Sequence, residues 1–406
     1  MTGFRNVGFT KPFTDNAGRL RVSQMTSLGD YKILNSDLQP LLMQYLGTGT
    51  VVNNVNRATL TLDGVLGVNM IAQTKMYHPY LNGKSQLVNM TVSNFAIETQ
   101  SIKRFGYFSR YATPPYDPFD GFYLEGSYLT GYHFHVMRNG GSVSIQSRSA
   151  WADKLDGTGA SGMDINWADF NIFAFDFLYL GGSCINCYVY YNGAFHLFNT
   201  YYHANTSTTP MFISPNKPLT WEVLTNSGIP ATLDVICGEV AVEGINTDLG
   251  IGTAISSPIA GVNCVLAGTT YPLVGIRKKT TSRDIHAIIE GFEAQCSTTN
   301  DRIRLDIILN PDVLIMLGGS FTYSNLANSP LQVATPTGVV TALGGFVLDS
   351  SLITTNANVS KIIANPLRAL CSTLDNTMDE IILCATPSLA STNVLATGYI
   401  NAKWYT

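Results

Sequence analysis

Charge is what this sequence has least of. Among its 406 residues, 24 Lys and Arg stand against 28 Asp and Glu, together 13% of the chain, about half the share of an ordinary soluble domain. A freely diffusing monomer relies on surface charge for solubility, so so little of it fits a chain that covers much of its surface with other subunits. The net charge of −4 speaks against bulk nucleic-acid binding, which calls for a basic protein. Cysteine is sparse and odd in number. The seven residues Cys184, Cys187, Cys237, Cys264, Cys296, Cys371 and Cys384 follow no regular spacing, which argues against a disulfide framework and for folding in a reducing cytoplasm. No run approaches the ~20 uninterrupted apolar residues of a membrane-crossing helix. The opening Met1-Thr-Gly-Phe-Arg-Asn6 lacks the apolar core of a signal peptide. The expectation is a protein made and folded in the cytoplasm, with no membrane partner.

What is present is β pattern. Between Trp151 and Gly244, the run Ile172-Phe-Ala-Phe-Asp-Phe-Leu-Tyr-Leu180 alternates with a period of two, and both of its faces are largely apolar. Such a strand is covered on both sides. Asn192-Gly193 stands between two β-rich runs, the strongest short-range hairpin signal, because a type I′ turn needs positive φ at both central residues. From Thr50 to about Val265 nearly every segment is a short strand closed by a turn signal, as a sandwich requires. A Gly/Ser/Ala-rich stretch follows, and the β pattern then restarts at Leu273. The fold class is all-β: two β-sandwich (jelly-roll-like) domains with an extended N-terminal arm. Residues 1–50 form the arm with a short helix, for which Tyr31 to Tyr45 has the spacing. Residues 51–248 form the larger sandwich, 249–268 a linker, and 269–406 the smaller sandwich.

Within the arm, Arg19-Leu-Arg-Val-Ser23 alternates, with Arg19, Arg21 and Ser23 on one face and Leu20 and Val22 on the other. One short strand with one thin apolar face is unstable alone. Arg19, Leu20, Arg21 and Val22 are therefore the expected subunit contact, adding a strand to a sheet of this or a neighbouring subunit.

Asp15-Asn-Ala-Gly-Arg-Leu-Arg-Val-Ser23 also resembles the opening segment of a family of virion structural proteins from tailed bacteriophages. Tyr77-His-Pro-Tyr-Leu-Asn-Gly-Lys-Ser-Gln-Leu87, Arg104-Phe-Gly-Tyr-Phe108, Leu155-Asp-Gly-Thr-Gly-Ala-Ser-Gly162 and Asp176-Phe-Leu-Tyr-Leu-Gly181 resemble later segments of that family, in the same order. Glu239-Val-Ala-Val-Glu-Gly244, Tyr271-Pro-Leu-Val-Gly-Ile-Arg277 and Trp404 extend the resemblance over almost the whole chain. The departure at Asn16 and Ala17 touches only the arm. The resemblance implies a particle component, at head, neck or tail, and implies no catalytic residue.

The residues that could carry chemistry each have a plainer reading. His133 and His135 share one face of a strand at a spacing that suits a divalent metal, but no third ligand is near in sequence. Cys184-Ile-Asn-Cys187 enters a strand, where a redox or metal motif would want a helix start or a second pair. Asp153, Asp156, Asp164 and Asp169, with Asp117 and Asp120, lie among glycines without the spacing of a calcium loop, as turn residues do. Gly157-Thr-Gly-Ala-Ser-Gly162 lacks the Gly-Lys-Ser/Thr ending of a phosphate loop. Tyr107, Tyr111, Tyr116, Tyr123, Tyr128, Tyr132, Tyr201 and Tyr202 suit either a sugar platform or subunit anchors. The expected function is non-enzymatic and without cofactor: a structural component of a bacteriophage virion, capsid-associated or in the neck or tail. It assembles as a symmetric homo-oligomer with copies of itself and other virion proteins. The alternative is a receptor- or glycan-binding head or tail adhesin, meeting host-surface glycan through loops 109–131 and 150–170.

Overall fold

Asn192 and Gly193 make the turn that their residue types require. Their φ angles are 49° and 89°, and the flanking strands Cys184–Tyr191 and Ala194–Tyr202 pair antiparallel with Tyr191 opposite Ala194. The computed structural model describes residues 25–33, 42–54, 56–63, 68–225, 229–244, 250–297, 302–354, 357–363, 369–389 and 394–405. Nearly all of these are strand and turn; two three-residue 3-10 turns, Arg148–Ala150 and Thr280–Ser282, are the helical elements. The chain divides into two units, Met1–Thr247 and Asp248–Thr406. Both are antiparallel β-sandwiches, so the fold is all-β.

In the first unit, an eight-stranded sheet faces a seven-stranded one. Asn171–Leu178 lies inside the larger sheet, paired on one side with Gln86–Ser93 and on the other with Cys184–Tyr191. Its alternation sends Phe173, Phe175 and Phe177 into the core, while Ala174 and Asp176 on the other face are buried as well. From the smaller sheet, Ser101–Arg110 contributes Phe105 and Tyr107, and Pro118–Ser127 contributes Phe122 and Leu124. The rings meet across the gap: Phe105 on Phe173 at 5.0 Å, Phe122 on Phe175 at 5.4 Å, Tyr107 on Phe177 at 5.6 Å between centroids. Such pairs favour tilted and edge-on geometry and add to the gain from burial alone.

The second unit has a five-stranded and a six-stranded sheet, plus a two-stranded ribbon of Val313–Phe321 with Pro336–Leu343. Here the expected linker is corrected. Ile251–Ser256 pairs along its length with the final strand Leu395–Tyr405, and Val262–Asn263 pairs with the start of that same strand. The Gly/Ser/Ala composition marks an edge of the sheet, because the strand that holds it lies about as far away in sequence as the unit allows. The short helix is not what the ends of its segment form: Met25–Lys32, holding Tyr31, and Met43–Gly47, holding Tyr45, are strands. Residues 34–41, like Arg19, Leu20, Arg21 and Val22, lie outside the described residues. Met25–Lys32 pairs with Ala231–Glu243 of its own unit, and Tyr31 is buried as a strand residue.

Phe175→Ala removes a ring that packs against Phe105, Phe122 and Phe134. It is expected to cost about 3–5 kcal/mol, read as a lowered midpoint in chemical denaturation.

Candidate functional site

The densest polar cluster sits on the outer face of the seven-stranded sheet. Because Phe105 and Tyr107 point inward, the intervening Arg104, Gly106, Phe108 and Arg110 point away from the core. The same logic turns Glu222 outward between Trp221 and Val223, Tyr123 and Glu125 outward beside Phe122 and Leu124, and His133 and His135 outward around Phe134. Register then lines them up. Glu222 stands opposite Arg104, Arg104 opposite Glu125, and Glu125 opposite His133, one row across four strands.

The row is an ion-pair ladder. Arg104 gives Nε to Glu125 Oε2 at 2.7 Å and a terminal nitrogen to Glu222 Oε2 at 2.8 Å. Arg110, fully buried, donates to Glu222 Oε1 at 2.5 Å and through Nε to the Tyr116 carbonyl of the loop above. Asn69 ties Glu222 Oε1 to the Pro115 carbonyl at 3.4 and 3.0 Å. His135 stacks on Tyr123 at 4.8 Å and places Nε2 3.5 Å from Glu125 Oε1. Burial works to raise the Glu125 pKa, but His135 and Arg104 overcome it and hold the carboxyl down at about 2. Burial likewise opposes ionisation of Glu222, and Arg110 and Arg104 prevail, keeping it below the usual carboxylate range. A glycosidase pair needs one carboxyl raised to act as acid. Here both are held ionised by a shared guanidinium, an arrangement that fixes strands and suits no proton transfer.

The other polar groups are similarly occupied. His78 is buried, donating from Nδ1 to the Lys217 carbonyl and accepting from the Tyr31 hydroxyl at Nε2, each at 2.9 Å. Gly29 passes so close to this imidazole that a Cβ there would fall 2.7 Å from Nε2. Lys217 and Asp120 form a buried pair at 2.7 Å, and Asp120 also accepts from the Ile213 and Ser214 N–H groups. His203 accepts from Tyr201 and donates to the Thr209 carbonyl. On the other sheet, Asp234 gathers Thr59, Ser93, Asn94 and Arg57.

The sequence candidates fall as follows. His133 and His135 do share a face, with ring centroids 5.9 Å apart, and Glu125 is the carboxylate beside them, already engaged by Arg104. Among the described residues no group of three or more His, Cys, Asp or Glu is placed to hold a metal ion. Cys184 and Cys187 lie three apart on one strand, hence on opposite faces; Cys187 is in the core, where burial pushes its thiol well up. Asp153 accepts from the Leu155 and Ser161 N–H groups, and Asp156 from Thr158, so both shape the turn. The tyrosines separate: Tyr107, Tyr123, Tyr132 and Tyr201 are buried, Tyr116 and Tyr128 half-buried, and Tyr111 and Tyr202 exposed. Loop 150–170 turns Trp151, Leu155, Met163, Ile165 and Trp167 inward. The Arg104 row was missed in the sequence, although a lone Glu222 inside Leu219-Thr-Trp-Glu-Val-Leu224 signals it.

No protein-family model and no curated protein sequence matches the chain. Solved structures similar to it include the carbohydrate recognition domain of Emp47p, at 9% identity over 55% of this chain and 98% of that one, TM-score 0.33. Another is lectin I-B4 from Griffonia simplicifolia, at 12% identity over 53% and 99%, TM-score 0.31. A third is a protein of unknown function from Shewanella oneidensis MR-1, at 10% identity over 56% and 94%, TM-score 0.37. So distant a likeness leaves the functional reading to the chain's own residues.

Arg104→Met leaves two buried carboxylates without their shared cation and is expected to destabilise the fold by about 3–5 kcal/mol, measured by chemical denaturation. Acid should act through His78. Burial lowers its pKa from 6.5 to about 4, so its neutral form contributes stability that is complete above pH 6.5 and lost as pH falls toward 4. His78→Gln should flatten thermal stability across that window, by about 3 kcal/mol at most. The further loss from pH 4.5 down to about 2, where the unfolded chain takes up a proton that folded Glu125 does not, should remain.

Proposed function

We propose that this chain is a non-enzymatic structural subunit of a bacteriophage particle that assembles as a symmetric homo-oligomer. The observation that carries this reading is the division of its side chains. Among the described residues, His78, His203, Asp120, Glu125 and Glu222 are engaged inside the fold, while uncharged apolar side chains such as Ile145, Ile315, Leu317 and Leu343 stand exposed. That distribution suits a building block that meets copies and companions, and the co-linear resemblance to virion proteins gives the setting: synthesis in the host cytoplasm, then incorporation into the virion. The arm bearing Arg19, Leu20, Arg21 and Val22 lends a strand to a neighbour, linking subunits through backbone hydrogen bonds. Deleting residues 1–24, which spares the strand Met25–Lys32, should leave a folded protein of reduced assembly, read by circular dichroism and light scattering. Undiminished assembly of that truncation would remove the arm from the mechanism.

A second reading, a glycan-binding head or tail adhesin, draws on one corner of the first unit. Tyr111 is exposed, its ring edge-on to Phe119 at 4.8 Å, and its hydroxyl occupies the space above Gly140, whose φ of +75° also excludes a larger residue. Asp117 is exposed beside it, its carbonyl accepting from the Tyr111 N–H at 3.0 Å. A rigid exposed ring with a carboxylate nearby is what a sugar site uses. Glycan-array binding by the purified protein, abolished by Tyr111→Ala, would favour this reading over pure assembly.

A further inference from the structure

The ribbon of the second unit has two unlike faces. Val313–Phe321 and Pro336–Leu343 pair with Ile315 opposite Thr341 and Leu317 opposite Val339. One face turns Val340 and Ala342 onto the core that holds Ile382 and Cys384, with Leu314 packed against it. On the other face Ile315 is 37% exposed, Leu317 56%, Val339 39% and Leu343 54%, while Thr341, opposite Ile315, is buried among them. These four make an apolar stripe on a surface element, of the kind that marks a contact site.

The edge beside the stripe is open as well. Among the described strands Val313–Phe321 pairs with Pro336–Leu343 alone, which leaves the backbone groups of its other side to be satisfied. Soluble proteins blunt such edges with charge, above all lysine. Here nothing of the sort is present: from Val313 to Val347 the sequence contains no Asp, Glu, Lys, Arg or His. A β-bulge at Leu317/Gly318 limits the regular part of the edge to Val313–Leu317.

We propose that this edge pairs with the same edge of a second copy of the chain, antiparallel about a two-fold axis, so that two ribbons become one four-stranded sheet. The proposal rests on the assembly reading above and names the surface that performs it. Charge chooses the occupant. An uncharged stripe has nothing to offer a basic or acidic partner, and it complements a surface as neutral as itself. An antiparallel edge is self-complementary under two-fold rotation, and an isologous contact uses the same patch twice. Continuing the sheet joins the Ile315 and Leu317 side chains of the two copies into one apolar strip.

Leu317→Lys and Ile315→Lys, made separately in the full chain, test this by analytical ultracentrifugation. Each places a charge against the apolar strip of the other ribbon and, by the two-fold symmetry, brings a like charge from the copy near it across the axis. The wild type should sediment as a dimer or larger, and each variant should fall to half that mass or less with an unchanged circular dichroism spectrum. Leu129→Lys, at an exposed apolar position of the first unit, should leave the mass as it was. A wild type that is monomeric at tens of micromolar would overturn the assembly reading and this contact together. An oligomer that survives both ribbon variants would overturn the contact alone. Because both positions are exposed, either variant that keeps its fold decides the matter.

Discussion

The register of the seven-stranded sheet depends on Arg104. It stands opposite Glu222 on one neighbouring strand and opposite Glu125 on the other, so its two ion pairs run along the direction of the backbone hydrogen bonds. A slip of one residue would drive the guanidinium into the aromatic core and bring Phe105 out. The cost of either move is large, since a charge stranded in the core has no water or partner. The aromatic packing between the sheets supplies most of the burial, but rings can repack in several ways. The charged row permits one.

The same constraint shapes what the molecule is able to do. A carboxylate that holds a strand in place must stay ionised, and Glu125 and Glu222 are kept so by Arg104 and Arg110. That makes them good fasteners and unsuitable proton donors. His78, His203, Asp120 and Asp234 are bound in equivalent ways, each satisfied from several elements at once. Among the described residues these polar groups hold strands and loops in register.

How much of this could be read from the sequence follows from distance along the chain. Local signals served well. Asn192-Gly193 specifies its own turn, and the alternating phenylalanines of Ile172–Leu180 specify a strand buried on both faces. Signals that need a remote partner did not. Ile251–Ser256 resembles a linker until Leu395–Tyr405 is brought beside it. Tyr31 and Tyr45, the two ends of the segment spaced for a helix, belong to two separate strands. Strand parity decides each tyrosine separately, so Tyr107 points to the core and Tyr111 to solvent. Of the Arg104 row each member was visible and their alignment was not, since it needs the register of four strands.

The two units differ in where they keep their charge. In the first, charge is gathered into buried pairs that fix register. In the second, the ribbon and the turn after it carry none at all over a long continuous stretch. Low charge overall would follow from either habit, but their consequences are opposite. Buried pairs reduce the charge available to the surface while leaving a surface still polar with Ser, Thr and Asn. An uncharged open edge removes the main barrier to strand addition, and in a dilute monomer that would be an aggregation hazard with no compensating gain in stability. In a molecule meant to meet its own copies the same absence has a use, because like charges placed opposite one another across a two-fold axis would repel. On the proposed assembly reading, the low charge of the chain follows from a requirement of contact.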